Sequence, residues 1–376
     1  MRVAVVLEQC WHRVPGGTAT AALSSVRALD ERPDLEVVGV AGAHRHPPVP
    51  DVVPTVPVRH LRLPRLALYE AWHRLRWPSV TSATGPVDVV HATGLAVPPP
   101  TSPLVVTIND LAFVHEPAHF TRRGLRFFHR SLELTRRDAD VVVVPSLATR
   151  HDCLAHGVPS ERLVVVPYGL RAEVADDDAV AGARARHGLE HPYVVWVGTV
   201  EPRKNLATVA AAHRRLRDEG HELDLVLVGP HGWHEDLDRA LGGHRDGVHV
   251  LGHVPEPTLR ALYRGAAVCC YPSLREGFGL PVLEAMAQGT PVVTSAGTST
   301  EEVLGPDGGA GRAVAPRDVG AVADALAELA DPRRRPAASA AASARAATFT
   351  WERTADGLVA AYRRAIDAAP RREGRR

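Results

Sequence analysis

Short apolar runs and helical stretches alternate from the first residues onward. The runs at 3–7, 37–40, 87–91, 104–108, 141–145 and 163–166 are rich in valine and stop at polar, glycine or proline positions. They do not alternate with polar residues, which is how strands buried on both faces of a parallel sheet read. Helical spacing of apolar residues fills 18–29 and 124–137 between them. A doubly wound α/β domain is therefore predicted over 1–172. From 171 to 188 the chain turns acidic and then Ala/Arg-rich, and 173–190 is predicted to be a linker. The strand pattern restarts at 194–198, 223–229, 248–251, 268–272 and 291–294, with helices at 206–218, 257–265, 281–288 and 319–330. That predicts a second α/β domain over 191–350. An Ala-rich helix at 339–347 and an amphipathic helix at 351–368, with Leu358, Tyr362 and Ile366 on one face, come next. The tail at 370–376 reads as disordered. Two such domains are expected to place a ligand cleft between the carboxyl ends of their sheets.

Composition narrows the function. A chain of 376 residues suits two domains, and a formal charge of +1 gives no global attraction to nucleic acid. The four cysteines, at 10, 153, 269 and 270, have neither disulfide-frame nor zinc spacing, so a reducing compartment, the cytoplasm, is expected. Residues 1–7 are too short for a signal peptide, and no apolar run is long enough to span a bilayer. Among 44 basic residues, Lys204 is the sole lysine. A compact ammonium enters tight anionic sites where a planar guanidinium does not fit, so Lys204 marks an anion-binding position.

The stretch 271–293 says which anion. A strand ends near Pro272, a glycine-bearing loop follows, and Pro281 suits the first turn of a helix. Glu276 lies in the loop and Glu284 near the helix start, with Gly277, Phe278, Gly279 and Leu280 between them. Open N–H groups and a helix dipole of roughly half a charge favour phosphate there. A carboxylate, an anion seat and a second carboxylate suit a nucleoside diphosphate sugar. Arg203 and Lys204 follow the 194–198 strand and meet the same diphosphate. A pair of unit charges about 4 Å apart is worth about 4 kcal/mol at an effective dielectric of 20. The attraction grows as the diphosphate leaves. For any one of these residues a simple turn, a helix-dipole carboxylate or a solvated pair is the plainer reading. For the whole arrangement it is not.

Residues 197–206, 226–229, 251–254, 272–281 and 289–293, with the Glu276/Glu284 pair, resemble the donor half of the family-4 retaining glycosyltransferases. The resemblance covers most of the chain and is densest over 194–304. It implies the GT-B fold, two doubly wound Rossmann-like domains facing each other across a cleft, with helix 351–368 returning to the first. It also implies roles. Glu276 contacts donor-sugar hydroxyls and Glu284 the ribose. Arg203 and Lys204 hold the diphosphate, and the amides of Phe278, Gly279 and Leu280 lie against sugar and phosphate. The loop around Val254 receives the base. Gly16 and Gly17 resemble the family's glycine loop, and 107–111 a segment that usually reads Thr-x-His-Asp-Leu. Here Asn109 replaces the histidine, and asparagine cannot take a proton from a sugar hydroxyl. Thr199 stands where many relatives have arginine. Gly16, Gly17, His91, Asn109 and Asp110 are expected to line the acceptor site.

The expected reaction moves a hexose or deoxyhexose, of mannosyl, glucosyl or rhamnosyl type, to a saccharide, glycolipid or lipid-linked acceptor. It needs neither metal nor cofactor. The alternative is a catalytically silent sugar-nucleotide binder, favoured by Asn109 and Thr199. A nicotinamide oxidoreductase lacks its glycine fingerprint, since residues 8–20 offer only Gly16 and Gly17. A pyridoxal-dependent phosphorylase would need Lys204 for a Schiff base. Asp176, Asp177 and Asp178 read as a solvated charge run in the linker. The basic and aromatic stretches 59–77 and 121–130 read equally as a peripheral surface for anionic membrane, at the inner membrane face, and as helices packed on the sheet. The histidine pairs His44/His46 and His231/His234 read as loop residues.

Overall fold

The computed structural model describes residues 1–12, 16–49, 52–171, 173–230 and 237–369. They form two compact units, Met1–Gly169 with the chain from Thr350 onward, and Leu170–Phe349.

The first unit is built on a parallel sheet of seven strands: β1 (Arg2–Val6), β2 (Glu36–Ala41), β3 (Val58–His60), β4 (Val89–Ala92), β5 (Leu104–Thr107), β6 (Val141–Val144) and β7 (Leu163–Val165). Their order is β3-β2-β1-β4-β5-β6-β7, so β1 lies between β2 and β4, with Val3 opposite both Val37 and Val89. The helices are α1 (Gly16–Asp30), α2 (Arg65–Arg74), the short α3 (Thr81–Thr84) and α4 (Ala112–His115), α5 (Arg122–Asp138) and α6 (Leu147–Ala155).

Side chains alternate across a strand, so each valine run feeds two cores. Ala4, Val6, Val90, Val106 and Val142 pack with Leu68 and Trp72 of α2 and Leu132 and Leu134 of α5. Val3, Val5, Val89, Val105 and Val141 pack with Val26 and Leu29 of α1 and with Leu358, Val359 and Tyr362 of the terminal helix, Trp351–Ala368. This two-sided burial is why the runs carry no polar alternation.

The second unit repeats the plan with six parallel strands: β8 (Tyr193–Val197), β9 (Asp224–Val228), β10 (Val248–Gly252), β11 (Val268–Tyr271), β12 (Val292–Ser295) and β13 (Gly311–Val314), in the order β10-β9-β8-β11-β12-β13. Its helices are α7 (Asp177–His187), α8 (Leu206–Asp218), α9 (Leu237–Leu241), α10 (Glu256–Gly265), α11 (Leu280–Ala287), α12 (Ser299–Leu304), α13 (Val319–Ala330) and α14 (Arg335–Ala346).

The expected linker at 173–190 is corrected. Residues 177–187 form α7, a helix of the second unit packed on α10. The acidic run starts this helix: Asp176 accepts the Ala179 N–H at 2.7 Å, and Asp177 and Asp178 fill the first turn. Arg184, Arg186 and His187 fill the last turn, which complements the dipole at both ends, and Gly188 at φ +64° closes the helix. The second unit therefore begins at Leu170, before the expected 191. Two edge strands, β3 and β13, were not predicted. Each carries an arginine, Arg59 or Arg312, as edge strands often do, and so lacks the all-apolar signature. All four cysteines are free and buried. The 370–376 tail and the His231/His234 pair lie outside the described residues.

Candidate functional site

In the second unit the strand order reverses between β8 and β11, and loops after these two neighbours meet at their carboxyl ends. Such a switch point is where open α/β sheets bind ligands. After β8 the chain passes Gly198 and Thr199 into a tight turn, Pro202–Lys204, closed by Asn205 at φ +58°. After β11 it runs through 272–279 into α11. The two loops are tied by backbone and side chain. The Leu274 N–H donates to Arg203 O at 2.8 Å, and Asn205 Nδ2 donates to Pro272 O at 3.0 Å.

The tie brings Arg203, Lys204 and Glu276 together. Lys204 Nζ donates to Glu276 Oε1 at 2.7 Å and also to the Tyr271 hydroxyl. Arg203 Nη1 lies 2.8 Å from Glu276 Oε2, and its Nη2 lies 2.6 Å from Glu201. Ser273 Oγ and Tyr271 Oη donate to Glu276 Oε1 at 2.7 and 3.0 Å. Burial works to raise the Glu276 pKa. The charges of Lys204 and Arg203, with hydrogen bonds from Lys204 and Ser273, outweigh it and hold the pKa at about 2. Burial and the Glu276 charge push the Tyr271 phenol up, so it stays protonated as a donor.

Helix α11 starts at Gly279 without a capping side chain, and Pro281 has no N–H to offer, so the helix end is open. Gly279 has φ +114°, and a Cβ there would stand 2.7 Å from Thr300 Cγ2, so the start of α11 requires glycine. Phe278 is buried with its ring edge-on to Phe349, while Gly277 and Leu280 are half-buried. Glu284, on α11, accepts the Tyr263 hydroxyl at 3.2 Å. Burial raises its pKa against that hydrogen bond, with a further push from Glu256. One carboxylate is thus held charged by cations, and the other sits where charge is disfavoured. Val254 is buried in the loop after β10.

In the first unit, Gly16 (φ +62°) and Gly17 open α1, and a Cβ at either would meet nothing within 4 Å. Asn109 and Asp110 follow β5. Asn109 Oδ1 accepts a short hydrogen bond from Tyr168, and Asp110 Oδ1 accepts the Ala112 N–H at 3.0 Å. Both line a cavity of about 720 Å³ at the carboxyl ends of β1, β4 and β5, together with Gln9, Tyr69 and Phe127.

Residues 191–331 match the family model for Glycosyl transferases group 1, and residues 16–169 match that for the Glycosyl transferase 4-like domain. The O-antigen chain mannosyltransferase B of Escherichia coli is 31% identical over 73% of this chain and 74% of its own length. The chain belongs to the family-4, group 1 glycosyltransferases. The D-inositol 3-phosphate glycosyltransferase of Mycobacterium avium is 32% identical to this glycosyltransferase over 93% of the chain and 89% of its own. Among solved structures, HepE of Anabaena with UDP and glucose superposes with a TM-score of 0.71 at 19% identity, covering 96% of this chain and 98% of its own. Sucrose-phosphate synthase of Thermosynechococcus elongatus gives 0.74 at 23% identity, covering 98% and 100%. These likenesses are of fold, the GT-B class of two Rossmann-like α/β units.

Of the glycosyltransferase's sequence-named residues, Arg203, Lys204 and Glu276 form one bonded cluster. Thr199 follows β8, Val254 follows β10, 277–280 lead from the β11 loop into α11, and Glu284 lies on α11. His91 is corrected. It does not line an open surface but is buried between Tyr362 Oη and Thr107 Oγ1, each 2.8 Å from a ring nitrogen. Burial lowers its pKa to about 3, so the ring is neutral. Tyr168, Tyr263, Tyr271 and Ser273 were missed as partners. Tyr271 and Ser273 flank the loop motif itself, and their spacing from Glu276 was the available signal. Among the described residues, no group of three or more His, Cys, Asp or Glu is placed to hold a metal ion.

In the stretches read equally as a membrane surface and as packed helices, several aromatics make contacts within the unit. Phe127 of α5 packs on Tyr69 and His73, and Phe128 packs on Phe113 and Phe120. Phe127 and Phe128 are half-buried by these contacts and also line the cavity of the first unit. Leu66, Leu75 and Trp77 remain exposed in the first stretch. No helix among the described residues is long and apolar enough to cross a membrane.

Proposed function

We propose that the chain transfers a hexose or deoxyhexose from a nucleoside diphosphate sugar to a saccharide, glycolipid or lipid-linked acceptor, with retention of anomeric configuration and without a metal ion. The observation that carries this reading is the Arg203–Lys204–Glu276 cluster beside the open start of α11. The two cations take the diphosphate, Glu276 reads sugar hydroxyls near the anomeric carbon, and Glu284 takes the ribose near the Val254 loop. The acceptor oxygen forms its bond to the anomeric carbon as the bond from that carbon to the phosphate oxygen breaks. The acceptor's proton passes to the leaving phosphate oxygen. Asn109, which cannot accept a proton, then needs only to position a hydroxyl. Lys204 and Arg203 favour the departing charge more than the bound ester, which is the direction that speeds transfer. The relatives named for mannosyl and inositol-phosphate transfer support a sugar-nucleotide donor of this kind.

The four buried thiols suit a cytoplasmic enzyme. Contact with anionic membrane at the inner face falls to the exposed Leu66, Leu75 and Trp77. Flotation with anionic vesicles tests it, and absence of binding ends it.

Calorimetry with a panel of sugar nucleotides and free nucleoside diphosphates, in the presence of chelator, tests the donor reading. One donor is expected to bind tightly and to lose that binding in Lys204→Ala. Failure of every member to bind would overturn it.

A further inference from the structure

The 720 Å³ cavity of the first unit has a chemistry of its own, and an inference about it rests on the transferase reading, since it concerns the acceptor. The floor of the cavity is polar and already organised. Gln9 Nε2 donates to Thr93 Oγ1, which donates to Val6 O, both at 2.5 Å, and Asn109 and Asp110 stand beside them. One wall is aromatic, with Tyr69 of α2 and Phe127 of α5 having ring centroids 5.3 Å apart.

The rim carries two arginines, Arg65 in the first turn of α2 and Arg123 in the first turn of α5. Arg65 is half-buried, yet its guanidinium makes no hydrogen bond or ion pair with any described residue. The carboxylates nearest it are engaged elsewhere: Glu8 accepts the Gly42 N–H at 2.6 Å and lies 2.9 Å from His44. Glu70 is held by Arg74 at 3.1 Å and lies 3.6 Å from Arg123. His12 is neutral, its pKa lowered to about 4 by burial first and then by the charges of Arg65 and His44. A half-buried arginine with no hydrogen-bond or ion-pair partner among the described residues, at the mouth of a cavity whose floor suits hydroxyls, is open to an anion. The planar donor fork of arginine matches phosphate oxygens.

We propose that the acceptor is a phosphate-bearing saccharide, its hydroxyls read by Gln9, Thr93, Asn109 and Asp110, a sugar face laid on Tyr69 and Phe127, and its phosphate bound by Arg65 with Arg123. The phosphate belongs either to a free sugar phosphate or to a sugar linked through phosphate to a hydrocarbon chain. Leu66 bears on that choice, because it lines the same cavity and is 56% exposed, an apolar lip where a chain could leave.

The test is binding to the full chain of mannose, mannose 1-phosphate, mannose 6-phosphate and dodecyl mannosyl phosphate, followed by ligand-observed magnetic resonance. At least one phosphorylated probe is expected to bind ten-fold or more tighter than mannose. That margin should be lost in Arg65→Gln and largely kept in Arg65→Lys, which retains the charge. A further gain for the dodecyl probe that Leu66→Ser removes identifies the chain-linked source, and equal affinity of dodecyl and free phosphates identifies the free one. Equal binding of mannose and all the phosphates, or a phosphate preference that survives Arg65→Gln, overturns the proposal. Sugar-nucleotide calorimetry on the same samples reports separately on the donor reading, so a failure of one is not mistaken for a failure of the other.

Discussion

Lys204 holds its ammonium 2.7 Å from Oε1 of Glu276, and the pair is largely buried at the meeting of two strand ends. The folded chain therefore keeps the carboxylate charged far below its ordinary range, at about 2 against 4.5. A carboxylate with a lowered pKa adds stability above its unfolded value, and that stability is lost as pH falls through the folded one. Urea unfolding of Glu276→Gln across pH should show the variant weaker above pH 4.5, by on the order of 3 kcal/mol. The gap should narrow as pH drops from 4.5 toward 2. A gap that stays constant over that window would show that the pair does not hold the charge.

The same cluster makes a second, opposite-signed prediction for ligands. In the free protein Glu276 competes for Lys204 and Arg203. Neutralising it releases both cations for phosphate while removing the group proposed to read the sugar. Glu276→Gln should bind free nucleoside diphosphate as tightly as the parent or more tightly, and lose its preference for the sugar nucleotide. Titration calorimetry with the two ligands gives the ratio directly, and a parallel loss of both affinities would contradict the assignment.

Gly279 begins α11 where a side chain has no room. Gly279→Ala adds strain at φ +114° and a 2.7 Å approach to Thr300 Cγ2. A cost of about 1–3 kcal/mol is expected in thermal or urea unfolding, with weakened diphosphate binding. Adding Thr300→Ser, which removes the crowded methyl, should recover part of the stability. The backbone strain remains.

His91 gives a pH signature in the first unit. Its folded pKa of about 3 lies below the ordinary 6.5 because of burial. The unfolded chain therefore takes up a proton that the folded chain refuses, and stability falls as pH drops through 6.5 toward 3. Between pH 7.5 and 5 this residue should account for about 2 kcal/mol of lost stability. His91→Gln, which keeps a side chain able to meet Tyr362 and Thr107, should flatten the pH dependence by that amount. An unchanged slope would place the acid sensitivity elsewhere, with His12 or His73 the next to substitute.

How much could be read in advance followed from how each residue is used. The central strands announced themselves because their valines are buried on both faces, and β3 and β13 did not because each is short and broken by an arginine, unlike the edge strands β7 and β10, whose apolar runs were visible. The Asp176–Asp178 run was visible but ambiguous, since a helix cap and a solvated linker share the same acidic letters. Lys204 and the Glu276 loop stood out by residue type and spacing. Their bond to each other joins positions 72 apart in the chain, which no local pattern records. His91 misled for a related reason. It lies near a strand's carboxyl end, where ligands are expected, yet the side of the sheet it faces is closed by Tyr362 of the terminal helix. Likewise, the spacing of Phe127 and Phe128 could not show that one ring packs on Tyr69 and His73 and the other on Phe113 and Phe120, while both line the cavity.

The scarcity of lysine has a practical consequence. An endoproteinase that cleaves only after lysine has a single bond to cut, Lys204–Asn205. That bond lies in the turn pinned to 272–274 by the Leu274 N–H and by Asn205. It becomes accessible when the turn lifts off. The rate of one cleavage event in the native enzyme therefore gauges the opening of this one turn wherever that opening is easier than unfolding of the whole unit. Any molecule that seats there slows the cut in proportion to its occupancy. A lone lysine turns a generic digestion into a local gauge.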